Sequence, residues 1–360
     1  MIGTGRPGPH NAITDVAGVM VGHTTLISGA GGLRVGHGPV RTGVTVIRPR
    51  AEQLWEHPVF AGYHRLNGAG EMTGTHWIAE MGRLTTPIGL TNTHSVGVVR
   101  DALVAVEVRD RDLTQPFFSL PVVAETWDGV LNDVNGFHVR PEHVLQAFDN
   151  AAGGAVAEGN VGGGTGMICH DFKGGIGTAS RIVHEERGGY TVGVLVQANH
   201  GRRERLVVNG VPVGQIINGE QVPVPQPPEL QGAPRQGEGS IIVVVATDAP
   251  LLPHQLTRLA QRAGLGVARL GGVGEHLSGD LFLAFSTGNA LQPSDFGAGI
   301  PLYQPVTMLA DAHITPLFDA VVEATEEAIV NALIAAGTMA GRDGITAHAL
   351  DGRRLRALLT

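Results

Sequence analysis

Residues 239–246 read Gly-Ser-Ile-Ile-Val-Val-Val-Ala, a glycine and a serine followed at once by an apolar run rich in β-branched residues. The run predicts a buried β-strand that Ser240 opens. If the peptide bond before Ser240 were cut, that residue would carry both a hydroxyl and a free amine. A nucleophile and its base would then share one residue, which is a known way to activate a hydroxyl. Taken alone, the junction favours the simpler interpretation, an ordinary serine at the start of a strand.

Gly239 suits the position before such a cut. The Ser240 hydroxyl would attack the carbonyl carbon of Gly239 and form an ester, which water would then hydrolyse. Glycine tolerates unusual backbone angles and crowds the carbonyl least. The new α-amine has an ordinary pKa of about 8 and could take up the hydroxyl proton near neutral pH.

The segment before the junction, residues 218–239, is predicted to be an exposed processing linker. Prolines at 223, 225, 227, 228 and 234 alternate with polar and small residues, a composition that disfavours packed secondary structure. Elsewhere the patterns predict strands at 190–197 and 280–286, helices at about 141–152 and 316–336, and a hairpin turn at Asn209-Gly210. The fold class is therefore mixed α and β, with sheets covered by helices.

Composition narrows the class of protein. The chain has 360 residues, 42% hydrophobic and 16% charged, which is typical of a globular protein with a sizeable core. A net charge of −8 argues against a nucleic-acid partner. Cys169 is the only cysteine, so an intramolecular disulfide is excluded. The sequence shows no apolar signal core and no run of about 18 apolar residues, so we expect no membrane partner and a cytoplasmic location.

Three further side chains are candidates for catalysis. Ser278 and Asp280 are two residues apart, so on a strand they would share a face, where the carboxylate could orient an ammonium or relay a proton through the hydroxyl. In isolation, an aspartate that caps a turn is the better interpretation. Asn199 follows a predicted strand, and its amide could donate to an oxyanion, an interaction worth about 3 kcal/mol in a comparable site. A loop asparagine that satisfies backbone groups is at least as consistent with the sequence.

The sequence gives little support for a nucleotide or a metal ion as ligand. The glycine-dense centre at 158–180 lacks the Gly-Lys-Ser/Thr of a Walker loop and the context of a dinucleotide fingerprint. The sixteen histidines are scattered, with no His-Glu-x-x-His and no cysteine pair, so the sequence predicts no metal site. His76, His94 and His200 are interpreted as hydrogen-bonded structural residues. No cofactor is expected.

The chain resembles the DmpA-type aminopeptidases of peptidase family S58, which include L-aminopeptidase/D-amidase-esterases and β-peptidyl aminopeptidases. The resemblance extends over nearly the full length and depends on several segments taken together: 66–74 (LNGAGEMTG), 91–97 (TNTHSVG), 125–133 (ETWDGVLND), 163–167 (GGTGM), 172–181 (FKGGIGTASR), 197–199 (QAN), 239–240 (GS), 278–280 (SGD) and 325–329 (TEEAI).

The resemblance implies one four-layer α/β/β/α sandwich, similar to the N-terminal-nucleophile hydrolases but with different strand connectivity. It implies self-cleavage into an α chain, 1–239, and a β chain, 240–360, and a homo-oligomer, often a tetramer of αβ units. Ser240 would be the nucleophile, Ser278 and Asp280 its supporting serine and acid, and Asn199 the oxyanion donor. Asp280 stands where some relatives have glutamate.

The resemblance also implies a carboxylate that binds the free amine of the substrate, and Glu125 is the candidate. Some relatives have a tyrosine near this segment, where Trp127 and Phe137 stand here. The expected activity is a self-processing serine aminopeptidase that acts on short peptides, amides or esters. Two alternatives remain open. One is an acyltransferase of the ornithine-acetyltransferase type, which typically has threonine at the junction, and the other is a non-catalytic glycine-rich ligand-binding protein.

Overall fold

The computed structural model describes residues 2–109, 111, 117–230, 238–292 and 301–360, so residues 231–237 of the predicted linker lie outside it. The strands in these ranges are β1 (Met20–Ser28), β2 (Val40–Arg48), β3 (Val59–Gly68), β4 (Arg83–Leu84), β5 (Ile88–Asn92), β6 (Val122–Thr126), β7 (Ile168–Cys169), β8 (Phe172–Lys173), β9 (Gly175–Ile182), β10 (Thr191–Asn199), β11 (Glu238–Thr247), β12 (Leu277–Ser286), β13 (Met339–Ala340) and β14 (Thr346–Ala347). The α-helices are α1 (Thr75–Met81), α2 (Val96–Arg109), α3 (Pro141–Asp149), α4 (Val213–Ile216), α5 (Pro253–Arg269), α6 (Thr315–Ala335) and α7 (Gly352–Leu359).

Two larger sheets organise the chain. One has four strands in the order β1-β2-β5-β6, and the other has six in the order β4-β3-β12-β11-β10-β9. Neighbouring strands are antiparallel except for two parallel pairs, β5 with β6 and β11 with β12. The six-stranded sheet therefore combines strands from both sides of the 239–240 junction.

Strand β11 is apolar along its whole length because both of its faces are buried. Its odd-numbered residues from Ile241 to Val245 pack with helices α5 and α6, whereas its even-numbered residues from Ile242 to Ala246 face the four-stranded sheet. A third cluster joins the far face of that sheet to α2 and α3. These three cores separate four layers, helices, sheet, sheet and helices, and confirm the expected α/β/β/α sandwich.

Close approach of helices to strands explains part of the glycine content. A Cβ on Gly177 of β9 would stand 1.9 Å from the carbonyl oxygen of Ala328 in α6. On Gly22 of β1 it would stand 2.0 Å from the carbonyl oxygen of Ala147 in α3. Any side chain at these positions would push a helix off its sheet.

Residues 218–229 of the predicted linker are exposed or half-buried except for Pro227. The end of this segment is held by Glu229, whose carboxylate is 2.5 Å from the guanidinium of Arg342. Strand β11 begins at Glu238, so Gly239 lies within the strand and not in the loop before it. None of the helices in the described ranges has the length and apolarity needed to cross a bilayer.

Candidate active site

Ser240 lies near the start of β11, between the two sheets. It is the register partner of Asn199 in antiparallel β10 and of Gly279 in parallel β12. Its hydroxyl donates to the carbonyl oxygen of Gly239 at 2.6 Å and accepts from the backbone N–H of Gly279 at 3.1 Å. In the uncut chain the hydroxyl is thus turned toward the carbonyl group that self-cleavage would attack.

The backbone at Gly239 excludes a larger residue. Its φ angle is +155°, and a Cβ there would stand 2.6 Å from the carbonyl oxygen of Asn199 and 2.9 Å from Cα of His200. A side chain would have to displace the end of strand β10. This geometry agrees with the expectation that glycine precedes the junction because it tolerates unusual backbone angles and crowds its surroundings least.

Ser278 and Asp280 lie together on β12, as their spacing predicted. The Ser278 hydroxyl donates to Oδ1 of Asp280 at 2.6 Å, so the shorter aspartate reaches this serine. Ser278 is also the register partner of Gly239 on the adjoining strand, beside the bond that would release the amine. Burial raises the pKa of Asp280 to about 6, against the opposing effect of the Ser278 hydrogen bond. The carboxyl is consequently ionised at neutral pH.

Asn199 ends β10 directly opposite Ser240. Its Oδ1 accepts from the backbone N–H of Ile168 at 2.8 Å, and its Nδ2 donates to the carbonyl oxygen of Trp127 at 3.1 Å. These two bonds fix the orientation of the amide. Because Nδ2 carries two hydrogens, the bond to Trp127 uses only one of them.

Glu125 lies on β6 of the opposite sheet and is 3% exposed. Its Oε1 accepts from the backbone N–H of Glu71 at 3.0 Å, and its Oε2 accepts from the hydroxyl of Thr93. Burial raises the pKa of this carboxyl, while the Thr93 bond opposes that shift. A methyl group on Gly70 would stand 3.1 Å both from Oε1 of Glu125 and from Cα of Gly279. The carboxylate and the N–H donor to Ser240 therefore flank the same glycine.

The structure adds residues to which the sequence assigned no role. The Gly279 amide and Thr93 contact the candidate residues through hydrogen bonds, and both lie in segments that carry the family resemblance. Trp127 is 37% exposed, and Phe137 is 56% exposed and stacks on His94 with 5.9 Å between ring centroids. The sequence could not predict these contacts residue by residue, because each of them depends on which strands pair.

The glycine-dense centre supports the candidate active site by holding the loop that contacts Asn199. The ammonium of Lys173 is fully buried and donates to the carbonyl oxygens of Met167, Gly174 and Gly164 at 2.8, 2.9 and 3.3 Å. Burial lowers the pKa of Lys173 to about 7. The loop it holds carries Ile168, whose N–H fixes the Asn199 amide. This arrangement explains the segment without a phosphate ligand.

Comparison with known proteins gives one consistent result. The model of peptidase family S58 matches residues 11–347. The "Beta-peptidyl aminopeptidase BapA" of Sphingosinicella microcystinivorans is 53% identical over 99% of this chain and 89% of that protein. A structure titled "Burkholderia sp. beta-aminopeptidase" superposes with a TM-score of 0.91 at 53% identity, covering 100% of this chain and 96% of that one. An L-aminopeptidase D-Ala-esterase/amidase from Ochrobactrum anthropi, described as a variant of the Ntn hydrolase fold, superposes with a TM-score of 0.88 at 46% identity, covering 99% and 95%.

Proposed function

The chain belongs to peptidase family S58 and is an aminopeptidase, and we propose that it makes its own nucleophile by cutting itself between Gly239 and Ser240. The observation that carries this proposal is the 2.6 Å hydrogen bond from the Ser240 hydroxyl to the Gly239 carbonyl, at a position where only glycine fits. The processed enzyme would consist of residues 1–239 and 240–360. The segment 218–239 would be its processing linker.

Processing is an N-to-O acyl shift followed by hydrolysis. Oγ of Ser240 bonds to the carbonyl carbon of Gly239 and the C–N bond breaks, while the hydroxyl proton passes to the departing amine. Water then cleaves the ester, which returns the hydroxyl and leaves a carboxylate on Gly239. The register partner of Gly239 is Ser278, so the new amine forms beside the Ser278–Asp280 pair.

Turnover reuses the same atoms. The α-amine of Ser240 takes the proton from its own hydroxyl, which attacks the substrate carbonyl and forms an acyl-enzyme. The ionised Asp280 orients the amine through Ser278, and Asn199 can donate its second N–H to the developing oxyanion. Water then releases the product acid. Each step moves protons only between these groups, the leaving amine and water.

Substrate selection depends on Glu125. Its buried carboxylate lies across Gly70 from Gly279, where it can bind the ammonium group of a substrate whose carbonyl is at Ser240. Charge pairing in a buried site rewards a free N-terminus and excludes acylated peptides. The names of similar enzymes point to β-aminoacyl peptides, and we assign acceptance of N-terminal β-residues to this chain.

The test is hydrolysis of a β-aminoacyl p-nitroanilide, its α-aminoacyl counterpart and the N-acetylated form of each. We expect release from both free amines and none from the acetylated pair. Glu125→Gln, which keeps the shape and loses the charge, should raise KM about 10- to 100-fold with a smaller change in kcat. Equal rates on free and acetylated substrates would refute the ammonium site. Acetyl transfer from acetylornithine to glutamate, with no anilide hydrolysis, would favour the acyltransferase, against which the serine at position 240 already argues.

Assembly into a tetramer of αβ units and a cytoplasmic location stay predictions. Sedimentation equilibrium of the purified protein measures the first directly.

A further inference from the structure

A second cluster of reactive side chains lies beside the active site, on the helix side of the six-stranded sheet. Cys169, His170 and His200 are all buried, and Sγ and one nitrogen of each imidazole lie within 4.8 Å of one another. Neither the mechanism above nor the family comparison uses this cluster. The sequence alone predicted no metal site, because these three residues do not show the spacing of a known ligand motif.

Strand pairing brings the cluster together. Strands β7 and β8 form a hairpin whose two turn residues are His170 and Asp171. The backbone N–H of His170 donates to the carbonyl oxygen of His200 at 2.7 Å, which fastens this turn to the end of β10. Cys169, 31 positions before His200 in the chain, thereby becomes its neighbour.

The turn holds His170 in an unfavourable backbone conformation. His170 and Asp171 have φ angles of +47° and +59°, which a two-residue hairpin of this type normally assigns to asparagine and glycine. Arg203 clamps the turn by donating to the carbonyl oxygens of His170 at 3.1 Å and Asp171 at 2.7 Å. Strain of this kind persists where the surroundings fix the conformation, and it is concentrated at functional sites.

The two imidazoles have the features of metal ligands. Nδ1 of His170 lies 3.0 Å from the carbonyl oxygen of Arg202, so it carries the proton and Nε2 keeps a free lone pair. A backbone carbonyl on the second nitrogen is the usual way in which a protein orients a metal-bound histidine. Within the described part of the chain, Nε2 of His170 is buried and has no hydrogen-bond partner, and Nδ1 of His200 faces the sulfur of Cys169.

The distances fit one small ion. Sγ of Cys169 is 3.8 Å from Nδ1 of His200, and the sulfur and nitrogen ligands of a tetrahedral zinc ion are about 3.6 Å apart. The imidazole centroids are 5.2 Å apart at an interplanar angle of 68°, so the rings do not stack on each other. One thiolate with two imidazoles is a donor set that suits Zn²⁺ or Cu⁺.

We propose that Cys169, His170 and His200 form a binding site for one thiophilic d¹⁰ metal ion, Zn²⁺ or Cu⁺, next to the active-site strands. Binding breaks the S–H bond of Cys169 and forms a sulfur–metal bond. The proton passes to solvent, and no oxidation state changes. Zn²⁺ would add a water as fourth ligand.

The location couples the site to catalysis. His200 directly follows Asn199, and its Cα is the atom that a Cβ on Gly239 would meet at 2.9 Å. A metal ion that pulls on the His200 ring would therefore shift the strand end that positions Asn199 against Ser240. Occupancy of the metal site should therefore change kcat. It should change KM less, because KM depends on Glu125, which lies on the other sheet.

The decisive experiment uses Co²⁺ as a spectroscopic substitute for Zn²⁺. The full-length protein is stripped with a chelator, equilibrated with Co²⁺ and examined for thiolate-to-cobalt charge-transfer absorption. Because Cys169 is the only cysteine in the chain, this absorption reports on no other site. We expect one ion per chain, displacement by Zn²⁺, and a rise in the unfolding temperature with metal concentration. Competition between Zn²⁺ and Cu⁺ with calibrated chelators identifies the preferred ion.

Two variants and a control localise the binding. Cys169→Ser and His170→Gln should each weaken metal affinity about 100-fold or more, and the first should abolish the charge-transfer absorption. His184→Gln, which changes a histidine with a 73% exposed side chain, should leave both unchanged. Absence of bound metal in wild type, or binding that survives both substitutions, would overturn the proposal. If a variant does not fold, the wild-type charge-transfer measurement decides alone.

Discussion

Gly239 shows how a single residue constrains the chemistry. Its φ angle and the 2.6 Å approach of the Asn199 carbonyl oxygen leave no space for a side chain. The sequence predicted this requirement from the glycine–serine junction. It could not predict the Gly279 N–H that donates to Ser240, because that contact requires β11 and β12 to pair in parallel across a crossover.

Gly239→Ala should therefore slow self-cleavage at least about 10-fold, since about 1–3 kcal/mol of backbone strain would be added at the junction. Gly97→Ala is the matched control, because a Cβ there meets nothing within 4 Å. Both proteins are expressed in parallel, and the fraction of cut chain is followed on a denaturing gel. Equal cutting of the two would show that the crowding at Gly239 does not matter.

Asp280 makes a pH-dependent contribution to the free energy of unfolding, and this contribution can be measured in the uncut chain. Burial raises its pKa to about 6 in the folded state, against about 3.9 when unfolded. The folded state thus binds the proton more tightly, so this group favours folding below pH 4 and loses that contribution as pH rises to 6. The loss amounts to about 3 kcal/mol.

The measurement compares Ser240→Ala with the double variant Ser240→Ala/Asp280→Asn by urea unfolding from pH 4 to pH 7. The double variant should gain stability relative to the single one as pH rises, with the change centred between pH 4 and pH 6. Other buried carboxyls titrate in both proteins and cancel in the difference. A difference that does not depend on pH would contradict the assigned pKa.

At the scale of elements, the local sequence pattern predicted those helices and strands that are determined by residues close together in the chain. Strand β10 (Thr191–Asn199) and helix α6 (Thr315–Ala335) lie within a few residues of their predicted bounds. The turn at Asn209-Gly210 forms, but only Val208 and Val211 pair across it and helix α4 follows at Val213, so the predicted hairpin is not extended. Pro212, which has no N–H to donate, ends the pairing there.

The loop that carries Ile168 depends on Lys173, and neighbouring residues gave no sign of this role. Lys173→Met removes the donor to three buried carbonyl oxygens, so we expect the free energy of unfolding to fall by about 3 kcal/mol. Arg356→Met, an exposed substitution that loses the same charge, should change it by less than about 0.5 kcal/mol. Urea unfolding of the two variants tests this, and similar values for both would mean that the ammonium does not hold the loop.

At the scale of the whole molecule, the sandwich explains why the chain can be cut without separating. The six-stranded sheet places β11, which contains the junction, and β12, which follows it, between β3 and β10, which precede it. Two of the three apolar cores between the layers draw on both parts of the chain. The sequence indicated mixed α and β layers, but the four-layer order came from family resemblance, because the order of strands within a sheet depends on contacts distant in sequence.

Intact-mass spectrometry of purified wild type beside Ser240→Ala tests self-cleavage most directly. We expect two chains for wild type, one ending at Gly239 and one beginning at Ser240, with aminopeptidase activity, and one inactive chain for the variant. A wild-type protein that hydrolyses aminoacyl anilides as an unbroken chain of 37.5 kDa would contradict this expectation.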